Sequence, residues 1–290
     1  MGMTLRRATP GDAAAIDRFL LGRVESSMFP LTNLREHGID GPAPRSMRFW
    51  LNEGPAGPRQ VFGLTREGMA MPQMPGAAAA DWRAVAAALA GRRLIGVLGE
   101  AGQVRACLAA TGLTGAPTLL DHDEPAFTLD LGDLRIPARP DARLDPAGQA
   151  DRALLVGWRR AYHTEVLGTP AADAEARAEQ DIAGFLARGT HRILRIGAQP
   201  VAMTGFNATL PDTVQIGAVF TPTELRGRGY ARLAVALHLQ EARRAGVTRA
   251  VLFAASGAAA KAYRAIGFAR WGSFALVLFD GAQQVAPCPA

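Results

Sequence analysis

The sequence predicts an α/β fold in two lobes, and three observations carry that expectation. Residues 214–243 run from a strand through a glycine-containing loop into a helix. Short apolar runs of strand composition alternate with stretches of helical apolar spacing along the rest of the chain. Finally, 290 residues are too many for one lobe of the roughly 100–150 residues this pattern builds, but suit two.

In order, residues 3–8 read as a strand and 12–23 as a helix capped by Thr9 or Asp12. Strands are predicted at 47–51, 60–65 and 68–74, followed by a helix at 81–90, a strand at 93–98 and an apolar helical stretch at 101–111. Residues 139–147 are polar and proline-rich, the composition of a linker. Beyond them a helix covers 148–166, with Ala153, Val156, Ala161 and Val166 alternating with Arg and Glu, and a second covers 171–187. Strands at 192–196 and 200–207 turn at Gly197-Ala198-Gln199, and a third at 214–220 stops at Thr221-Pro222. Leu233, Ala234, Leu237 and Ala242 set a helix over 231–243. A buried strand at 249–254, a short helix at 256–268 ended by Gly267, and a strand at 273–279 complete the chain. The expected domains are therefore 1–138 and 148–280, joined by the linker 139–147 and followed by a tail, 281–290.

The loop Arg226-Gly227-Arg228-Gly229-Tyr230-Ala231 is the most informative segment. Gly227 and Gly229 lack a Cβ, so the backbone can turn sharply and approach a bulky anion. The unpaired N–H groups of the new helix point at that anion, and the helix dipole favours its charge. A dinucleotide fingerprint fails here, because Arg232 stands where the third glycine belongs and the next strand, Val251-Leu252-Phe253-Ala254, ends in no acidic residue. A phosphate loop of the G-x-x-x-x-G-K-[ST] kind is absent, and the chain's single lysine is Lys261.

Arg226, Gly229 and Ala231 fill the pattern Arg/Gln-x-x-Gly-x-Gly/Ala, and Ala259, Tyr263, Gly267 and Phe268 follow about thirty residues later at fixed spacing. Together these segments resemble the acyl-coenzyme A site of the GNAT superfamily of N-acetyltransferases. The resemblance implies a mixed, mostly antiparallel sheet flanked by helices, with acetyl-CoA or another acyl-CoA as co-substrate and no metal. By the same resemblance Val219, Thr221, Arg226, Gly227, Arg228, Gly229, Tyr230, Ala231, Ser256, Ala259 and Tyr263 hold the coenzyme. Ser256 stands where the family usually has Asn, which weakens one expected contact to the pantetheine arm. The first lobe reads as a worn copy of the plan: at its loop, Pro75-Gly76-Ala77-Ala78-Ala79-Ala80 has neither the arginine nor the second glycine. It is expected to have lost coenzyme binding and to shape the substrate site, with the acceptor entering between the lobes.

Acyl transfer to an amine needs a neutral amine, a hydrogen-bond donor to the thioester oxygen and a proton for the leaving thiolate. Resemblance puts the backbone N–H near Val219 in the second role. Tyr263, with an ordinary pKa near 10, can protonate a thiolate of pKa ~8.5, or it can simply pack the helix on the sheet. No carboxylate lies on the strand 214–220, where Gln215 is the only polar side chain and an amide accepts no proton at neutral pH. Glu165 and His163 can reach the acceptor through a water, or they form a solvated helix end. Asn207 can orient the acceptor or end a strand.

The formal charge of +6 raises nucleic-acid binding, yet the basic residues are almost all Arg, scattered in ones and twos with little aromatic interleaving. No nucleic-acid partner is expected. No window approaches 18 uncharged apolar residues and the N-terminus lacks an apolar signal segment, so a cytoplasmic protein with no membrane partner is expected. Cys107 and Cys288 show no metal spacing, and Cys107 reads as a core residue. Asp121-His122-Asp123-Glu124 reads as a solvated turn, since adjacent ligands on a loop seldom converge on a metal. The chain is thus expected to be an acetyl-CoA-dependent N-acyltransferase acting on a small-molecule or peptide amine by direct transfer in a ternary complex, as a monomer or homodimer. The rival reading is a catalytically silent acyl-CoA-binding regulatory protein.

Overall fold

The computed structural model describes residues 5–286, and the chain divides into two compact units, residues 1–124 with 273–290, and residues 125–272. The first unit contains β1 (Arg6–Arg7), α1 (Ala13–Leu21), α2 (Val24–His37), β2 (Met47–Gly54), β3 (Gly57–Thr65), β4 (Met69–Gln73), α3 (Ala79–Leu89), β5 (Arg93–Glu100) and α4 (Ala101–Thr111). Strand β6 (Thr118–Asp130) begins in it and ends in the second unit. The second unit continues with β7 (Ala142–Pro146), α5 (Arg152–Glu165), α6 (Ala171–Arg188), β8 (His191–Ile196), β9 (Gln199–Thr209), β10 (Thr213–Phe220), α7 (Tyr230–Arg244), β11 (Arg249–Phe253) and α8 (Gly257–Arg264). Strand β12 (Ala269–Gln284) starts there and returns to the first unit.

Both units follow one plan. Within the first the strand order is β1-β2-β3-β4-β5-β12, and within the second β7-β8-β9-β10-β11-β6. In each, a single parallel pair, β4 with β5 and β10 with β11, sits in an otherwise antiparallel sheet. A parallel pair needs a crossover, and α3 and α7 supply it. The closing strand of each sheet comes from the opposite half of the chain. Phe274 to Leu278, then Gln283 and Gln284 after an irregularity, pair β12 with β5, and Ala126 to Asp130 of β6 pair with β11. Burial explains why the exchange holds: Ala275, Val277 and Phe279 enter the first unit's core, and Phe127 and Leu129 enter the second's.

In the second unit α6 presents Ala174, Ala178, Ile182 and Phe185 as one buried stripe, the 3.6-residue spacing of a helix lying on a sheet. Ile182 and Phe185 pack with Leu155, Val156 and Trp158 of α5 and with Met203 and Phe220 beneath. Each such side chain contributes about 1.5–3 kcal/mol on burial, so Ile182→Asp would remove one and bury a charge in its place. Helix α7 is buried over most of its surface, joining Tyr230, Leu233 and Ala234 to one cluster and Val235, Leu239 and Ala242 to another. The packing fixes the direction in which its N-terminus points.

Several expectations are corrected. The boundaries 1–138 and 148–280 give way to the exchanged units above. Residues 142–146 of the expected linker form β7, an edge strand paired with β8 in the register Leu144↔Leu194; its central positions lack the apolar alternation that marks a strand. The expected tail contains the last residues of β12 and the buried Val285. Asp121 to Glu124 form a stretch of β6 instead of a turn. In a strand their side chains alternate between faces, and Asp121 and Asp123 share one face, where both pair with Arg105. Helix α2 was not legible because Pro30 interrupts it and Ser, Thr and Asn break its apolar pattern. Residues 3 and 4 of the expected first strand, and Cys288, lie outside the described residues.

Candidate active site

The candidate site lies where β10 and β11 part. They pair in parallel only through Thr213↔Arg249, Val214↔Ala250 and Gln215↔Val251. On its other side β10 loses register with β9 between Gly217 and Phe220. Ala218 sits at φ +51°, in the left-handed region, which turns the peptide units around it out of the ladder. The backbone of Ala218 and Val219 therefore lies outside regular pairing on both sides, so a polar group entering the gap can meet a main-chain donor. Asn207, on β9, covers Gly217 so closely that a Cβ there would fall 1.8 Å from its amide nitrogen.

The chain leaves β10 through Thr221 and reaches α7 through the predicted loop. Gly227 and Gly229 take φ +78° and +79°, with Gly229 as the residue before the first helical turn. These are the left-handed conformations that glycine adopts without a Cβ penalty. Nothing stands within 4 Å of where a Cβ on Gly227 would be, leaving room in front of the α7 N-terminus, whose first N–H groups have no intrahelical partner. Thr221 Oγ1 is buried with no partner among the described residues, and so is Nε of Arg232. The Arg232 guanidinium lies 3.4 Å from the position of a Cβ on Gly229. Unpartnered donors, positive charge, glycine turns and a helix N-terminus meet the requirements of a pyrophosphate, so these residues fit a coenzyme A arm. Arg232 was missed in the sequence, although side chains lean toward the N-terminus of their helix and a third-position arginine reaches its cap.

The Arg226 guanidinium is fixed by three contacts. Nε donates to the Thr221 carbonyl at 3.0 Å, Nη2 donates to Glu165 Oε2 at 2.5 Å, and the plane lies 5.7 Å from the Phe220 ring centroid. Glu165, expected on the acceptor side, is thereby engaged by the loop. His163 is buried, with Nδ1 3.1 Å from Thr169 Oγ1 and Nε2 3.0 Å from Asp181 Oδ2. Arg159 donates to the same Asp181 oxygen at 2.7 Å. Burial raises the Asp181 pKa, but the His163 hydrogen bond and Arg159 outweigh it and hold the carboxyl below its ordinary range. Both His163 nitrogens are thus committed, Nε2 to Asp181 of α6 and Nδ1 to Thr169 in the connection between α5 and α6.

On α8, Ser256 Oγ accepts from the Ala259 N–H at 3.2 Å. Its hydroxyl caps the helix, as serine does best. Tyr263 is buried among Phe127, Leu129, Ile266 and Phe268, its ring edge-on to Phe268 at 6.0 Å. Two further histidines of this unit are buried and neutral. His191 stacks on Phe185 and His238 on Phe206, and burial above all lowers each pKa to about 3.

The matching helix end of the first unit is filled by its own carboxylate. Asp81 Oδ2 accepts from the Ala78 N–H at 2.8 Å, and Asn52 and Gln60, both buried, donate to the two Asp81 oxygens at 3.2 and 3.4 Å. An incoming phosphate would meet this negative charge, in keeping with the expected loss of coenzyme binding. Among the described residues no group of three His, Cys, Asp or Glu is placed to hold a metal ion, and no helix is long and apolar enough to cross a membrane.

Fold and loop together define an α/β protein of the acyl-CoA N-acyltransferase architecture, in two lobes. Residues 154–268 match the model of the acetyltransferase (GNAT) family. No curated protein matches the sequence. Three solved structures share the fold over nearly the whole chain. A Drosophila protein superposes with a TM-score of 0.60 at 13% identity, covering 96% of this chain and 99% of its own. A tandem GNAT protein from the clavulanic acid biosynthesis pathway gives 0.57 at 14%, covering 99% and 100%. A GCN5-related N-acetyltransferase from Kribbella flavida gives 0.55 at 19%, covering 91% and 95%. The family's co-substrate is acetyl-CoA.

Proposed function

We propose that the second unit transfers an acetyl or related acyl group from acyl-coenzyme A directly to a primary amine of a small molecule or peptide. The observation that carries this reading is the parting of β10 and β11 beside the left-handed glycine loop at the N-terminus of α7. When bound, the coenzyme supplies an activated thioester. The α7 N-terminus, Gly227, Gly229, Tyr230, Ala231, Arg226, Arg228 and Arg232 hold its phosphates, and Thr221 and Ala259 border the path of its arm. The Val219 backbone N–H donates to the developing negative oxygen as the C–N bond forms, and Tyr263 provides the proton for the departing sulfur as the C–S bond breaks, the proton shed by the amine nitrogen returning to the phenol through water. Direct transfer is favoured over a covalent acyl-enzyme because Cys107, the described cysteine, is buried and its thiol pKa is pushed up to about 12.

The silent-binder reading draws support from Ser256, whose hydroxyl is spent on a helix cap, and from β10, which offers Gln215 where a carboxylate would serve as base. Thiol release from acetyl-CoA over a broad panel of amines, alongside calorimetric titration of the coenzyme, separates the two. Binding with amine-dependent thiol release supports the enzyme. Binding without release from any amine supports the regulator, and no binding defeats both.

A further inference from the structure

We propose that Glu165 is a positioning residue for the acyl donor: from the last turn of α5 it sets the Arg226 guanidinium in the coenzyme loop. This rests on the acyltransferase reading of the loop. Glu165 is the final residue of α5, and a carboxylate at a helix C-terminus faces the negative end of the dipole, an unfavourable place unless a cation compensates it. Arg226, 61 residues later, is that cation. The pair is too exposed, at 47% and 38% of the two side chains, to matter much for stability. What it does is remove freedom from a long side chain. With Nε held by the Thr221 carbonyl and Nη2 by Glu165, the guanidinium is oriented before any ligand arrives, and Nη1 remains outside both bonds.

Two effects of the carboxylate oppose each other. Immobilising a rotamer-rich side chain in advance spares the binding step roughly 2- to 12-fold in affinity. Against this, two like charges a guanidinium's width apart, about 8 Å or one Debye length at physiological salt, repel by about 1.5- to 4-fold for effective dielectrics of about 80 down to 20 at so exposed a pair. Preorganisation wins, so removing Glu165 weakens donor binding by a few-fold in place of strengthening it. A second consequence is that α5, which His163 ties to α6 through Asp181, becomes mechanically linked to the coenzyme loop.

The test measures acetyl-CoA affinity by calorimetry and the steady-state kinetics of wild type, Glu165→Ala, Glu165→Gln, Arg226→Ala and the double variant Glu165→Ala/Arg226→Ala. The expected result is a rise of about 2- to 5-fold in Kd and in KM for acetyl-CoA in Glu165→Ala, and a smaller rise in Glu165→Gln, which still accepts a hydrogen bond. The kcat and its pH profile should not move, and Glu165→Ala should have no effect once Arg226 is Ala. Tighter binding in Glu165→Ala would make the carboxylate a competitor of the phosphate and overturn the proposal. So would unchanged Kd, or a loss of kcat with an altered pH profile at unchanged Kd, which is the signature of a general base. An additive double variant overturns it too. Failure of the wild-type protein to bind acetyl-CoA defeats the acyltransferase reading itself, an outcome distinct from all of these.

Discussion

Gly229→Asp should turn the glycine loop of the second unit, the proposed coenzyme site, into a counterpart of the self-filled helix end of the first. At φ +79° a side chain costs about 1–2 kcal/mol, though Asp is among the residues that visit this region. Two terms offset the strain. A carboxylate at the α7 N-terminus gains about 0.3–1 kcal/mol from the dipole. Its Cβ would also stand 3.4 Å from Arg232 Nη2, allowing an exposed ion pair of about 0.2–1 kcal/mol. Stability should therefore stay within about 1 kcal/mol of wild type. Affinity should not. Like charges about 4 Å apart repel by about 4 kcal/mol at an effective dielectric of 20 and about 1 kcal/mol in water. The loop is exposed at Gly227 and Arg228 and half-buried at Gly229, so an intermediate value applies. The expected loss is on the order of 10- to 100-fold in Kd for acetyl-CoA. Gly229→Ala, with the same backbone strain and no charge, should lose less than about 5-fold. Calorimetric titration with thermal melts of all three proteins checks the argument. An Asp variant that melts like wild type and binds within 2-fold of it would remove the loop from the coenzyme site.

Tyr263→Phe keeps the ring contact with Phe268 but deletes the phenolic proton, so turnover should fall by roughly 10²-fold with acetyl-CoA affinity unchanged; equal rates in a thiol-release assay would reduce Tyr263 to core packing. In the first unit, Asp81→Ala removes the acceptor of the Ala78 N–H and leaves the buried Asn52 and Gln60 amides short of partners. It should cost about 1–3 kcal/mol, lowering Tm by about 2–4 °C for each, while the acetyl-CoA Kd stays within about 2-fold. His191 and His238 have folded pKa values of about 3, below the unfolded value of 6.5. Their burial as neutral groups therefore contributes stability that is fully present above pH 6.5 and declines as pH falls toward 3. At pH 5 each should have cost about 2 kcal/mol relative to pH 7.5. Denaturant unfolding at the two pH values should show the fall, and His191→Gln or His238→Gln should each remove about half of it.

The sequence by itself determined the features whose cause is local. Two glycines spaced around one arginine before a helical pattern announced a sharp turn into a helix, because left-handed turns need residues without a Cβ. Both glycines take the left-handed conformation, and α7 starts at Tyr230. The apolar spacing that placed helices at 148–166 and 171–187 likewise reappears as α5 and α6. Only the tertiary structure decided what depends on residues far apart in the chain. That β12 closes the first sheet against β5, and β6 the second against β11, joins segments more than 100 residues apart, and nothing in a strand's own composition names its neighbour. The polar stretch at 121–124 resembled a turn because its partner, Arg105, sits on a helix that the local pattern does not connect to it. Glu165 looked like a solvated helix end or a distant base for the same reason. Its meaning came from Arg226, which the fold brings to within one hydrogen bond across 61 residues of chain.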